Sequence, residues 1–332
     1  MSAASLAAEA EKATIAYQIA LTKLGAAVIA EALLLWRRDM PTNSVPPAAA
    51  ASWLRRVTAL IMRRRTEARA LARSYYRLER ALRTGYTVAD LSDSTKSVGL
   101  NQLREEFRTL AGPDAPTPGE DVEIEVERIP DLDKDAASLD AAAELEVRTA
   151  LGNLGAANLD RKFRAIDLNK PGTEVDTDRQ KAHDEAGARQ AAAAERIALN
   201  GARGELWNAT SRDKRAVGYI RLSRTGTPCG WCAMLISRGP VYKSERSATT
   251  PEGYQDGDLY HDNCHCYAVP VWTRADWQSN PLYALNREYQ ELWPKVTKGL
   301  GGDAALTAWR RFIRTQQRAQ AARPTAQTTQ EA

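Results

Sequence analysis

The residues best suited to chemistry are cysteines and histidines gathered in one window toward the C-terminal end of the chain. All four cysteines of the 332-residue sequence lie there, and two of its three histidines accompany the second pair. The pattern is Cys-x-x-Cys, a gap of about thirty residues, then His-x-x-Cys-His-Cys. A Cys-x-x-Cys turn presents two thiolates to one ion, and a distant second pair completes a tetrahedron. We therefore predict a Zn²⁺ site whose ligands are Cys229, Cys232 and Cys264, with Cys266 or His261 as the fourth ligand and His265 as a substitute.

Two other states of the thiols stay open at this point: a pair of disulfides, and reduced cysteines packed as small hydrophobic side chains. A redox Cys-x-x-Cys is disfavoured because the βαβ surroundings of thioredoxin-like proteins are missing. Four protein ligands leave no position for water, so the predicted zinc would be structural. We expect Gly230 to permit the tight turn between the first two cysteines and Pro228 to limit how the chain enters it.

The N-terminal third predicts two long helices, over residues 5–38 and 49–83, separated by prolines and ended by Gly85. The second helix repeats apolar residues every three or four positions, and arginines from Arg55 to Arg83 crowd its other face. One interpretation is a solvated face whose arginine stems cover apolar surface. The other is a contact with acidic protein or with DNA phosphates.

Further along, residues 112–135 are acidic and rich in proline, and Val122, Ile124 and Val126 alternate with glutamates. This alternation predicts one edge strand or arm inside a linker. Helices are predicted over 136–166 and 179–210, with a loop over 167–178. A short strand around Tyr219 follows, then helices over 281–298 and 304–314, and a disordered polar tail from Gln316.

These elements predict a mainly α protein with a small α+β cysteine/histidine module near the C-terminus. The expected divisions are 1–112, 113–135, 136–211, 212–280, 281–315 and 316–332. The N-terminus lacks the features of a secretory signal, and the apolar stretch 24–36 is shorter than the about 20 residues that span a bilayer. We therefore expect synthesis in the cytoplasm and no membrane partner. A net charge of +4 says little about partners.

The cysteine window also carries a resemblance. Its two strings, TPCGWCAMLISRGPVYKS from Thr227 and YHDNCHCYAVPVW from Tyr260, are similar to minor capsid proteins of phages that infect actinobacteria. Those proteins are related to the Mu F-like head-morphogenesis family, whose shared signature is an upstream cysteine region and a terminal His-x-x-Cys-x-Cys. The segments 76–85 and 296–300 also resemble parts of this family. The resemblance is dense over 212–272 and thin elsewhere.

The resemblance implies a minor head protein, made in the host cytoplasm and incorporated into the virion. It would act at the portal-proximal interior of the head during assembly. The implied partners are the portal protein and the major capsid or scaffold protein. Packaged DNA is a further possible partner, through the arginines between Arg55 and Arg83.

Members of this group are often labelled capsid maturation proteases, so peptidase activity is the enzymatic alternative. The sequence has no His-Glu-x-x-His or Gly-x-Ser-x-Gly motif, and we expect His183 to lie on the surface of a helix rather than act as a base. His261 or His265 could pair with a serine, and His261 with a cysteine, but the spacing selects none. The candidate nucleophiles are Ser223, Ser237, Ser244, Cys229 and Cys232.

A nucleic-acid-binding zinc module is the third alternative. Five basic residues surround the cysteines: Arg221, Arg224, Arg238, Lys243 and Arg246. Trp231, Tyr242 and Tyr260 could stack on bases, or could form the small core that such a module needs around its metal.

Overall fold

The computed structural model describes residues 2–89, 96–130, 132, 136–223, 226–240 and 266–321. The chain forms two compact units that meet in the sequence after Arg215. The helices of the N-terminal unit are α1 (Ala3–Asp39), α2 (Pro47–Thr84), α3 (Leu100–Ala111), α4 (Ala136–Leu154), α5 (Ala156–Arg164) and α6 (Gly172–Arg212). Its strands are β1 (Tyr86–Val88), β2 (Ser97–Gly99) and β3 (Glu123–Glu127).

The three long helices α1, α2 and α6 pack against one another and form the frame of the N-terminal unit. The two predicted N-terminal helices are confirmed, because α1 and α2 begin and end within two residues of the expected bounds. Gly85 ends α2 in the left-handed conformation, at φ 74°. Trp36 and Trp53 meet edge to face in the buried core, where aliphatic and alanine side chains from α1, α2, α4, α5 and α6 surround them.

Helix α1 is long and apolar enough to cross a membrane, by length and composition only. Its most apolar window of 18 residues has a mean hydropathy of 1.8, and one third of that window is buried. The stretch 24–36 is only part of this longer apolar helix. The expectation that it is too short to span a bilayer therefore does not hold for the helix as a whole. Tyr17, Val28 and Trp36 of α1 are buried in the unit, and the core helix of a soluble protein can have the same composition. The feature is thus weak evidence for a membrane partner.

Strand β3 lies at the centre of a three-stranded sheet of order β1-β3-β2, parallel to β1 and antiparallel to β2. The prediction of a strand was confirmed, but its assignment as an edge strand or arm was wrong. Each flanking strand has three residues, too few for an alternation to be visible in the sequence. Within β3, Ile124 alone is buried, and Glu123 and Glu125 on either side of it are exposed. Burial on one face explains why apolar and acidic residues alternate along the strand.

Several helix bounds differ from prediction. The expected helix 136–166 is divided at Gly155 into α4 and α5. Helix α6 begins at Gly172, inside the expected loop 167–178, with Pro171 as its N-cap residue. The polar residues 316–321, expected to be disordered, are helical. The rest of the predicted tail, 322–332, lies outside the described residues.

The C-terminal unit has both helices and strands among its described residues. Strands β4 (Gly218–Ser223) and β5 (Cys266–Val271) form an antiparallel pair, which confirms the strand predicted around Tyr219. Trp309 lies at the centre of an aromatic cluster, with Tyr289 and Trp293 against its edges and Phe312 stacked on it. The helices are α7 (Gly230–Ile236), α8 (Arg274–Ser279), α9 (Ala284–Val296) and α10 (Gly302–Ala321), with a 3-10 turn at Pro281–Tyr283.

Candidate functional site

The first cysteine pair sits at the start of α7. Cys229 is the N-cap residue, and the backbone N–H of Cys232 donates a hydrogen bond to its Sγ at 3.4 Å. A donor aimed at sulfur favours the thiolate form, which is the form that binds metal. Cys229 is partly exposed, whereas Cys232 is buried. The turn therefore presents a partly exposed cysteine whose sulfur accepts a backbone hydrogen bond.

Cys266 opens strand β5, where it lies opposite Ser223 of β4 and is buried. The structure thus places three of the predicted metal ligands in the C-terminal unit. The predicted ligands His261 and Cys264, and the substitute His265, lie outside the described residues. Within the described ranges, no three cysteine, histidine, aspartate or glutamate side chains converge as a metal site would require. Since one or two of the four expected ligands lie beyond those ranges, the zinc site stays a prediction.

Helix α10 packs directly over the cysteine turn. A Cβ added at Gly230 would lie 2.9 Å from Cγ and 3.1 Å from Cα of Arg310. The absence of a side chain at Gly230 is therefore needed for the close approach of α10. Gly230 is the first residue of α7 and has helical backbone, so it does not form the tight turn that we expected. The side-chain amide of Gln317 donates to the carbonyl oxygen of Pro228 at 3.0 Å. These contacts fix the backbone that carries Cys229.

The basic residues around the cysteines do not form one exposed surface. Arg221 is fully buried on β4, so the expectation that it could meet nucleic acid was wrong. Its carbonyl oxygen accepts a hydrogen bond from Asn286, whose amide also donates to Ile236, and these bonds join β4, α7 and α9. The guanidinium of Arg310 lies 6.0 Å from the ring centroid of Trp231. Arg224, Tyr242, Lys243, Arg246 and Tyr260 lie outside the described residues.

His183 is a core residue, and its expected place on a helix surface was wrong. Its side chain is 2% exposed. The ring Nε2 lies 3.0 Å from the carbonyl oxygen of Met40, and the indole N–H of Trp36 donates to the His183 carbonyl at 3.1 Å. Its Nδ1 lies 3.7 Å from Asp184, and none of its contacts with the described residues involves a candidate nucleophile. Ser237 is buried and donates to the carbonyl of Met234, while Ser244 lies outside the described residues.

The arginine face of α2 is largely internal, so its interpretation as a solvated face was wrong. Acidic side chains from α1, α3, α4 and α6 converge on it and neutralise it. Arg73 pairs with Glu205 at 2.7 Å, for example, and both side chains are mostly buried. Further pairs are Arg64 with Glu31, Arg69 with Asp140, Arg77 with Glu106, and Arg83 with Glu79. The exposed arginines of the face are Arg55, Arg56 and Arg63, all in the N-terminal half of the helix.

The most buried of these arginines is Arg80, which lies at the end of α2. Its guanidinium donates to Asp213 at 2.6 Å, to the Thr87 carbonyl at 3.1 Å, and to Glu127. The hydroxyl of Tyr76 also donates to Asp213, at 2.8 Å. Burial and the neighbouring Asp213 carboxylate raise the pKa of Tyr76 well above its usual range, so the phenol keeps its proton.

Arg215 completes this cluster from the solvent side. It donates twice to Glu127, at 2.6 and 2.9 Å, and its guanidinium lies 3.6 Å from the centroid of the Tyr86 ring. The hydrogen bonds from Arg215, together with those from Arg80, lower the pKa of Glu127 to about 2 although partial burial opposes them. Glu127 is therefore ionised at neutral pH and bridges two guanidinium groups.

Comparisons with known proteins agree with part of the resemblance. Residues 172–292 match the model of a family described as "VG15 protein", which is a viral or phage gene-product family. The matched stretch includes α6, the first cysteine pair, the second cysteine pair and most of α9. No curated protein and no solved structure matches the chain. The family match covers 121 of the 332 residues, and it supports a phage-encoded protein.

Proposed function

We propose that this protein is a minor capsid protein of the Mu F-like head-morphogenesis type, acting at the portal-proximal interior of the phage head during virion assembly. The observation that carries the proposal is that the phage family match, residues 172–292, contains the whole cysteine/histidine pattern. That pattern is also where the resemblance to head-morphogenesis proteins is densest. The portal protein and the major capsid or scaffold protein are the proposed partners.

The proposed metal is a structural Zn²⁺ bound by Cys229, Cys232, Cys264 and either Cys266 or His261. The hydrogen bond from the Cys232 N–H to the Cys229 sulfur supports this, because it stabilises the thiolate that zinc requires. Bound there, the ion would supply a cross-link and no catalysis, since four protein ligands fill its coordination. The chain's own part is to hold Cys229 in place through α10.

The N-terminal unit supports a structural role rather than an enzymatic one. Most arginines of α2 are used inside the unit, where ion pairs join α2 to four other helices. Arg55, Arg56 and Arg63 remain exposed and are the residues of this helix that could contact DNA or an acidic partner. Arg56 and Arg63 already pair with Asp39 and Glu31, so such a contact would compete with existing surface pairs.

The metal is tested by elemental mass spectrometry of the purified, reduced full chain, with a thiol count beside it. We expect about one zinc per chain and protected thiols, as a closed four-ligand site predicts. Cys232→Ser and Cys264→Ser should both lose the zinc. Ser279→Ala, an exposed position on α8, is the matched control and should keep it. Absence of zinc with four reactive thiols would overturn the site, and an unusually reactive Cys229 would then favour the peptidase alternative.

The location is tested in the phage that encodes the protein. Purified virions should contain the chain in immunoblots. When the gene is deleted, complementation with the wild type or with Ser279→Ala should restore infectious heads, and complementation with Cys264→Ser should not. If virions lack the protein, or if heads assemble and deliver DNA normally without it, the proposed role is wrong.

A further inference from the structure

The strongest site outside the cysteine module is an open pocket in the N-terminal unit. It has a volume of about 510 Å³ and lies where α2, β3 and α6 end close together. This size falls within the range of about 300–1,000 Å³ that is usual for ligand sites. The lining residues are Arg80, Glu127, Arg128, Ile129, Pro130, Arg212, Asp213, Lys214 and Arg215.

The inner wall of this pocket is a preorganised set of ion pairs. Arg80 and Asp213 are each 2% exposed and are joined at 2.6 Å. Glu127 accepts from Arg80 and twice from Arg215, and Tyr86 supports the Arg215 guanidinium from the other side. Because each of these side chains has several partners, the wall is held in one arrangement without a ligand.

The pocket carries excess positive charge beyond these pairs. Of the cationic side chains that line it, Arg80 and Arg215 pair with the two carboxylates, Glu127 and Asp213. Arg128 and Lys214 are exposed, and within the described part of the chain neither forms an ion pair. An anion entering the pocket therefore meets two available cations at the rim and ordered guanidinium groups behind them.

We propose that this pocket binds a phosphate group, with Arg128 and Lys214 as the direct contacts and the DNA backbone as the source. Phosphate suits the pocket better than a carboxylate does, because a planar carboxylate is matched by one guanidinium, whereas a phosphate group can offer oxygens to Arg128 and Lys214 together. Arg128 and Lys214 come from different segments, and phosphate oxygens point in several directions. The proposal goes beyond the head role and rests on it only for the source of phosphate.

The test is the binding of a fluorescent DNA duplex to the full chain at several salt concentrations. Arg128→Gln with Lys214→Gln removes two phosphate contacts. Affinity at low salt should fall about tenfold or more, and the slope of log affinity against log salt should shrink by about 2. The matched control is Arg148→Gln with Arg164→Gln, which removes the same charge at positions 62% and 79% exposed on α4 and α5. Affinity in the control should change less than about twofold, as for charges distant from a bound anion.

Equal losses in the two double variants, or no loss in either, would overturn the pocket. A second arm adds inorganic phosphate at matched ionic strength. If inorganic phosphate displaces DNA from the wild type, the pocket recognises a free phosphate group as well. If it does not, the pocket recognises phosphate only as part of the extended DNA backbone. Pocket-dependent binding of an acidic peptide without DNA binding would overturn the phosphate assignment. Because every measurement is made in vitro, failure here is distinct from absence of the protein from virions.

Discussion

The buried carboxylate of Asp213 offers the sharpest test of how the N-terminal unit is held together. It is the C-cap residue of α6, yet its side chain binds the guanidinium of Arg80 on α2 and the hydroxyl of Tyr76. Both members of the Asp213–Arg80 pair are 2% exposed. Asp213→Asn keeps the shape of the side chain and removes its charge, so the variant isolates the electrostatic contribution.

The expected loss of stability depends on the hydrogen-bond partners that Arg80 keeps in the variant. Removing one partner of a buried ion pair costs about 3–5 kcal/mol, because the other charge stays buried. Arg80 retains Glu127 and the Thr87 carbonyl as partners, and the asparagine can still accept one hydrogen bond. We therefore expect a loss at or just below the lower end of that range, about 2–3 kcal/mol, in the free energy of unfolding.

The measurement is urea unfolding of the full chain followed by helical circular dichroism. Asp176→Asn is the matched control, since Asp176 lies on the same helix, is 78% exposed and should change stability by less than about 0.5 kcal/mol. A double-mutant cycle with Tyr76→Phe should show coupling of about 0.5 kcal/mol or more, because the two side chains share a hydrogen bond. If Asp213→Asn matches the control, the ion pair does not stabilise the unit and the reasoning is refuted.

Three further predictions concern pH and close packing. The lowered pKa of Glu127 adds about 1–2 kcal/mol of stability after solvent screening, which is fully present above pH 4.5 and is lost as the pH falls toward 2. Glu127→Gln should remove this loss of stability at acid pH in unfolding titrations, and an unchanged pH profile would contradict the prediction. Gly201→Ala should lower the thermal midpoint through a loss of about 2–3 kcal/mol, since its Cβ would overlap the Arg65 carbonyl oxygen. An unchanged midpoint would show that the helices adjust freely. Gly230→Ala should displace Arg310 and speed the reaction of Cys229 with a thiol reagent, and an unaltered rate would argue against support by α10.

The long helices could be predicted because their signals are local. Apolar spacing, flanking prolines and the glycine after Thr84 fix α1 and α2 without knowledge of their partners. The short strands β1 and β2 could not be predicted, since three residues give too little pattern. Their absence from the prediction also explains why β3 was taken for an edge strand.

The fate of the arginines could not be predicted either, because it depends on acidic residues distant in sequence. Arg73 is neutralised by Glu205, which lies 132 positions away, and Arg80 by Asp213, which lies 133 positions away. A helix face that is strongly basic in isolation thereby becomes an internal network. The same limit applies to His183. It is buried because Trp36, on α1, and Met40, the residue that follows α1, pack against it.

At the candidate site, the sequence identified the cysteine turn but not its support. The spacing of Cys229 and Cys232 indicates a turn with two sulfurs on one side, and the structure has Cys229 as the N-cap residue of α7 with Cys232 in its first turn. The contact from Gln317 could not be expected, because it comes from a polar segment that reads as a disordered tail. Its signal is visible only once α10 is known to continue to Ala321.

The register of β4 and β5 has a consequence for the order in which the C-terminal unit folds. Ser223 pairs with Cys266, so forming this ladder closes a loop of about forty residues, at an entropic cost of about 3 kcal/mol. Two strands alone rarely repay such a cost in water. We therefore expect the ladder to form late, after the aromatic cluster around Trp309 has brought α9 and α10 together. The zinc that we propose would cross-link the cysteine pairs and so act on this step, and its supply would then set how fast new chains complete the C-terminal unit.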